Sequence, residues 1–217
     1  MIPVISFIGH SQCEKTSVIQ HIAKELTVLG LRVGVIKESD NEVTRDLLKR
    51  DTIAEYFVHG IESVCFHSDQ GILTLQTNTE QPLTYILFKL FTDVDIILAE
   101  GFNNLKNVPK IEIARAEVCP ELSQQTSGVK AIIADFPTSF EPQYSYTQTK
   151  ELARFITNNF MRRGEEHCID VFADGKRLPL KSFVKLSLRG TLLGFLESLK
   201  FTDNVGLFEI KIKNNRR

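Results

Sequence analysis

The sequence contains no Cys-x-x-C pair: Cys13, Cys65, Cys119 and Cys168 lie far apart in the chain. That leaves no visible zinc or iron-sulfur framework. The five histidines are equally scattered and read as structural or surface residues. No stretch approaches the roughly 18 uninterrupted apolar residues of a membrane helix. No secretory leader is expected, because the N-terminus enters a strand at once, so a reduced, cytoplasmic compartment is the natural inference. Neither sign of charge is in excess: the formal net charge of -1 gives no global pull toward nucleic acid or membrane. The local balance differs, with 14 Lys+Arg against 20 Asp+Glu in residues 1–161 and 12 against 7 in residues 162–217. The basic tail is either a docking unit for an acidic surface or a solvated face.

What is present is a globular chain of 217 residues, 42% hydrophobic and 24% charged, enough for one good core and a small second one. Its most informative stretch is Val4-Ile5-Ser6-Phe7-Ile8-Gly9-His10-Ser11-Gln12-Cys13-Glu14-Lys15-Thr16-Ser17. A short apolar run, a glycine and then Lys-Thr six residues later read as strand, phosphate-cradling loop and helix start. Gly9 lets the backbone wrap so that its N–H groups face phosphate oxygens, and the helix opening near Lys15 adds its positive end. Lys15 supplies a mobile charge to terminal phosphates, and the Thr16 hydroxyl ligates Mg²⁺. The G-x-x-x-x-G-K-[ST] pattern asks for a second glycine where Glu14 stands. A carboxylate within about 5 Å of a phosphate charge costs roughly 3 kcal/mol at an effective dielectric near 20, so weak nucleotide binding is expected. The alternative is an ordinary strand-turn-helix.

Ser17 to Leu29 has the spacing of a helix burying one face, stopped by Gly30. Leu31 to Lys37 is a second strand, and this order predicts a parallel pair with the first. Asn41 to His59 reads as a loop running into a helix, Ser63 to His67 and Gly71 to Gln76 as short strands, and Pro82 to Phe91 as a helix. Asp95-Ile96-Ile97-Leu98-Ala99-Glu100-Gly101-Phe102 predicts a central strand buried on both faces that delivers Glu100 to its carboxyl end. In an open α/β sheet that edge is where ligands bind. A carboxylate there holds Mg²⁺, orients an attacking water or caps a loop. The fold class expected is α/β: a P-loop NTPase-like sheet with helices on both faces, residues 1–161, plus a small α+β unit of β-β-α-β order, residues 165–217. In that unit Cys168 to Ala173 and Arg177 to Leu180 form a hairpin around Asp174-Gly175. Ser182 to Leu199 is a helix with Val184, Leu188, Leu192, Phe195 and Leu199 on one face, and Val205 to Lys213 closes as a strand. The break falls at Arg162 to Glu166, after a helix over Lys150 to Phe160.

The E-G-F of Glu100 to Phe102, followed by Pro109-Lys110-Ile111-Glu112-Ile113-Ala114-Arg115, resembles the E-G-F…P-K-I-E-x-x-R signature of the MobB family. These are P-loop accessory proteins of molybdopterin-guanine dinucleotide biosynthesis. The N-terminal loop, the strand Arg32 to Lys37 and the strand Val129 to Asp135 match in order and spacing, so residues 1 to about 160 are covered. The resemblance implies GTP and Mg²⁺ as ligands, slow hydrolysis at best, a homodimer, and assistance to the guanylyltransferase that attaches GMP to molybdopterin. It carries Lys15 and Thr16 to phosphate and Mg²⁺, Glu100 to the metal or water side, and Lys110 and Arg115 to the family's loop and strand. Candidate nucleotide contacts are therefore Gly9, His10, Ser11, Gln12, Cys13, Glu14, Lys15, Thr16, Ser17, Lys37, Gly101, Lys110, Arg115 and Asp135, the last placed to read a guanine base or to cap a loop. Thr16 and Glu100 are the candidate metal ligands, and Glu100 and Asp51 the candidate catalytic carboxylates.

Three departures face the same site. The family's histidine-rich group after the second strand is replaced by Glu38-Ser39-Asp40-Asn41, its G-K-D-[ST] element by Lys49-Arg50-Asp51-Thr52, and the second loop glycine by Glu14. Three functions fit: a GTP-binding accessory protein of molybdenum cofactor maturation, a scaffold of the same lineage without turnover, and an unrelated P-loop kinase of a small metabolite. The E-G-F and P-K-I-E stretches argue against the third.

Overall fold

The computed structural model describes residues 2–38, 63–76, 82–119, 121–122, 127–161, 169–174, 176–199, 208–210 and 212. The chain divides into two compact units, Met1–Arg163 and Gly164–Arg217. The expected helix between Asn41 and His59, with Asp51, lies outside the described residues, as do Asp40, Cys168 and the break at Arg162 to Glu166.

The first unit is built on a six-stranded sheet: β1 (Val4–Ile8), β2 (Val33–Lys37), β5 (Ile96–Glu100), β6 (Lys110–Ala114), β7 (Val129–Ala134) and β8 (Gln143–Tyr144). The order is β2-β5-β1-β6-β7-β8 and every pairing is parallel. Strands β3 (Ser63–Ser68) and β4 (Gly71–Gln76) form a separate antiparallel ribbon. The expectation that β1 and β2 pair directly is corrected: they run parallel, but β5 is inserted between them. Its sequence explains why, since a strand buried at all five positions needs a neighbour on each side.

Helix α1 (Lys15–Val28) and helix α3 (Thr149–Phe160) cover one sheet face. Their Val18, Ile19, Ile22, Leu26, Leu152, Ala153 and Ile156 pack with Ile5, Phe7, Ile96, Leu98, Ile111, Ile113, Ala131 and Ile133 in one core. The residues between these in each strand turn to the opposite face. There Leu122, Phe136 and Phe140 pack on Ala114, Ile132 and Ala134. Phe91, at the end of helix α2 (Leu83–Leu90), lies over Gly34, where a Cβ would stand 2.5 Å from its ring. Each fully buried Leu, Ile or Phe contributes roughly 1.5–3 kcal/mol. Helix α1 ends in a Schellman motif, with the Leu31 N–H donating to the Leu26 carbonyl and the Gly30 N–H to the Thr27 carbonyl.

In the second unit β9 (Phe172–Ala173) pairs antiparallel with β10 (Lys176–Arg177), and helix α4 spans Ser182–Glu197. The half-buried row of α4 runs Val184, Leu188, Leu192, Leu196. Phe195 and Leu199, expected on that face, are exposed, because a four-residue step continues through Leu196. Of the expected strand over residues 205–213, Phe208 to Ile210 and Ile212 are described and are not in a strand.

An ion pair ties the amino ends of β2 and β5: the Arg32 guanidinium lies 3.0 Å from Asp95, whose carboxylate also accepts the Arg32 N–H at 2.8 Å. Those bonds hold the Asp95 carboxyl below its ordinary 3.8. A carboxyl depressed by folding stabilises above its unfolded value and loses that contribution as pH falls through the folded one. Asp95→Asn should therefore flatten the loss of thermal stability below about pH 4 without changing its form near neutrality. Identical acid limbs in the two proteins would show that the pair contributes nothing to acid stability.

Candidate functional site

Because β1 lies between β5 and β6, the carboxyl ends of all three strands open on one edge of the sheet. The loop leaving β1 begins at Gly9, whose φ is +144° and where a Cβ would stand 2.2 Å from the Ile113 carbonyl oxygen. No side chain fits against that backbone. Gln12 and Glu14 then adopt positive φ, 68° and 58°. Glu14 thus takes the left-handed conformation that a glycine would take freely, at a cost of about 1–2 kcal/mol. The loop closes into α1 through the Glu14 carbonyl, which accepts the Val18 N–H at 3.0 Å.

Glu14 is held by Arg115, which follows β6: their side chains make a short, charge-assisted hydrogen bond. Arg115 also faces Asp135 at 3.8 Å and stands 5.8 Å above the Tyr146 ring. Hydrogen bonding to Glu14, then its charge, raise the Arg115 pKa above the ordinary value. The Tyr146 hydroxyl donates to the carbonyls of Cys13, 3.3 Å, and Ala114, 3.2 Å. Burial first, then neighbouring acidic groups, push its pKa up to about 12, so it stays a neutral donor. Glu14, Arg115 and Tyr146 form a strap that binds the back of the loop to the end of β6.

The front of the loop is open. His10, Ser11, Gln12, Thr16 and Ser17 are exposed, whereas Cys13 is fully buried and packs in the core. The Lys15 ammonium folds back to donate to the Gly9 and His10 carbonyls at 2.9 and 2.6 Å. Glu100 is 7% exposed, and both its oxygens accept from the Thr16 hydroxyl, at 2.8 and 3.0 Å. The Lys37 ammonium lies 2.9 Å from Glu100 and 3.1 Å from Thr16 Oγ1. Gly101, at φ +90°, leaves β5 with its N–H on the Phe7 carbonyl, and the Glu38 carboxylate accepts the Phe102 N–H at 2.6 Å.

Two candidate residues stand apart. Lys110 opens β6, four residues before its carboxyl end, and its buried ammonium donates to the Ser127 carbonyl at 3.0 Å. It secures the turn before β7 and does not reach the loop. Asp135 accepts the Ala116 N–H at 2.8 Å, so it caps the turn after β6 while facing Arg115. Sequence pattern does not single out Tyr146 or Glu38 as site residues. Tyr146 is 133 positions from its Cys13 partner, so no local pattern signals it; Glu38 stands out only as a departure from the histidine-rich group.

As a Mg²⁺ site, the donor set is incomplete. Thr16 and Glu100 converge as such a site requires, but a lysine ammonium contacts both. No group of three His, Cys, Asp or Glu side chains suited to a metal occurs among the described residues.

A parallel sheet with a loop of this backbone at the end of β1 and helices packed across it defines a P-loop NTPase-like domain. The family model "MobB: Molybdopterin guanine dinucleotide synthesis protein B" matches residues 4–135, and the chain belongs to that family. The chain is similar to the "Molybdopterin-guanine dinucleotide biosynthesis adapter protein" of Haemophilus influenzae, 24% identical over 72% of this chain and 89% of the relative. It is also similar to the protein of that name from Escherichia coli, 25% identical over 65% and 83%. Among solved structures it shares its fold with Bacillus subtilis MobB, 18% identical over 76% of this chain and all of that one, TM-score 0.56. A MobB protein homolog from Bacillus stearothermophilus, 19% identical over 71% and 95%, gives a TM-score of 0.52.

If the strap holds the loop, Tyr146→Phe should lower stability by about 1 kcal/mol through loss of the hydroxyl proton shared between the Cys13 and Ala114 carbonyls. Arg115→Ala should speed amide hydrogen exchange at residues 10–15. Exchange unchanged at those residues in both variants would contradict the strap.

Proposed function

We propose that the protein is a GTP-binding adapter in molybdopterin-guanine dinucleotide synthesis that binds nucleotide without turning it over quickly. The observation that carries the nucleotide reading is the loop backbone: Gln12 and Glu14 hold the positive φ values of a phosphate cradle although neither is glycine. Each of the two bears a conformational cost that a glycine would not. Phosphates would lie against the amides of residues 10–16, with Lys15 releasing its two carbonyls to meet them. Arg115 neutralises Glu14, which removes much of the repulsion expected from a carboxylate at that position.

Slow turnover is supported by Glu100. Both its oxygens accept hydrogen bonds from Thr16 and one faces Lys37, so it has little capacity left to orient a water. This observation also favours the scaffold form of the same role. The setting proposed is a cytoplasmic homodimer that serves the guanylyltransferase joining GMP to molybdopterin, as the family resemblance implies.

Calorimetric titration with GTP tests the reading. The native chain should bind in the micromolar range, Lys15→Ala should weaken binding by about tenfold or more, and Glu14→Gly should tighten it by removing a charge and a strained residue. Binding only after Glu14→Gly would favour the scaffold. Silence in both the native chain and Glu14→Gly would overturn nucleotide binding.

A further inference from the structure

We propose that Lys37 is the resident cation of the loop, its ammonium filling the position between Thr16 and Glu100 that a divalent ion would otherwise take, so that such an ion enters only by displacing it. The three residues make a closed triangle. Thr16 Oγ1 is 2.8 and 3.0 Å from the two Glu100 oxygens, and Lys37 Nζ is 2.9 Å from Glu100 Oε1 and 3.1 Å from Thr16 Oγ1. The hydroxyl and carboxylate that would ligate the ion are joined to each other and to a positive charge.

Strand register enforces this placement. Lys37 and Glu100 are paired residues of adjacent parallel strands, the last position of β2 against the last of β5. Their side chains leave the sheet on the same face at neighbour spacing. The pairing is anchored beyond the side chains, since the Glu38 N–H donates to the Glu100 carbonyl at 2.9 Å. Glu100 is buried, and burying a carboxylate costs stability unless a partner charge meets it. Lys37 supplies that charge while the flank of its own side chain stays half exposed, at 55%. Insertion of a divalent ion beside an ammonium at this spacing is strongly opposed by like charge. A bound nucleotide would then meet Lys15 and Lys37 together, and its binding would depend little on Mg²⁺; this last consequence rests on the function proposed above.

Thermal unfolding of the full chain, with and without millimolar Mg²⁺ or Mn²⁺, is the test. The native melting temperature should not respond to either ion. Lys37→Met leaves Glu100 uncompensated and should melt roughly 5 °C lower, with most of the loss restored by the cation. Lys37→Arg keeps the charge and should behave like the native chain. Lys37→Met combined with Glu100→Gln should lose the cation response. A native chain stabilised by the ions as much as Lys37→Met, or a Lys37→Met protein indifferent to them, would overturn the proposal. If Lys37→Met does not fold, Mn²⁺ titration of the native chain followed by electron paramagnetic resonance decides: no Mn²⁺ bound supports the proposal, and binding abolished by Glu100→Gln refutes it. In calorimetry, native GTP affinity should change by less than about threefold between Mg²⁺ and EDTA, and a dependence of about tenfold or more would count against a resident cation. Absence of GTP binding in both conditions counts against the function proposed above and leaves the cation response as the deciding result.

Discussion

The register of β1 between β5 and β6 is the constraint on which the site depends. Parallel pairing of Phe7 with Glu100 on one side and Ile111 on the other brings three strand ends to a single edge. The loop must turn directly over β6, which leaves no room for a side chain at Gly9. The same register sets Glu100 beside the first turn of α1, and pairing of β5 with β2 sets Lys37 beside Glu100. None of these contacts is local in sequence, yet each follows once the strand order is fixed.

Glu14 is accommodated in this site by compensation. A glutamate at a position suited to glycine brings both a backbone cost and a charge. The backbone cost is borne by a loop packed through Cys13 into the main core, and the charge is met by Arg115. Arg115 is in turn stacked near Tyr146, whose hydroxyl fastens the loop to β6. Glu38 is used in the same way: its carboxylate receives the Phe102 N–H and steadies the turn that follows Glu100.

Much of this was legible in the sequence where the signal was local. The apolar run before Gly9 and the unbroken Ile96-Ile97-Leu98-Ala99 run marked the two central strands, and the periodicity from Ser17 marked α1. The placement of Glu100 at a strand end followed from burial on both faces. Strand order was not legible, because hydrophobic pattern distinguishes buried strands from edge strands without saying which buried strand lies next to which. The roles of Lys110 and Tyr146 were hidden for the same reason. A motif lysine looks alike whether it faces the loop or, as here, secures the distant Ser127 carbonyl, and Tyr146 acts across 133 positions.

The central claim is that this loop remains a phosphate cradle with its glutamate turned aside to Arg115. Amide and guanidinium NMR signals followed during GTP titration address it most directly. Shifts should concentrate in residues 10–16 and at Gly101, with the Arg115 Nη–H signal nearly unchanged because its pair with Glu14 persists. Shifts confined to other surfaces, or loss of the Arg115 signal's paired environment on binding, would contradict it.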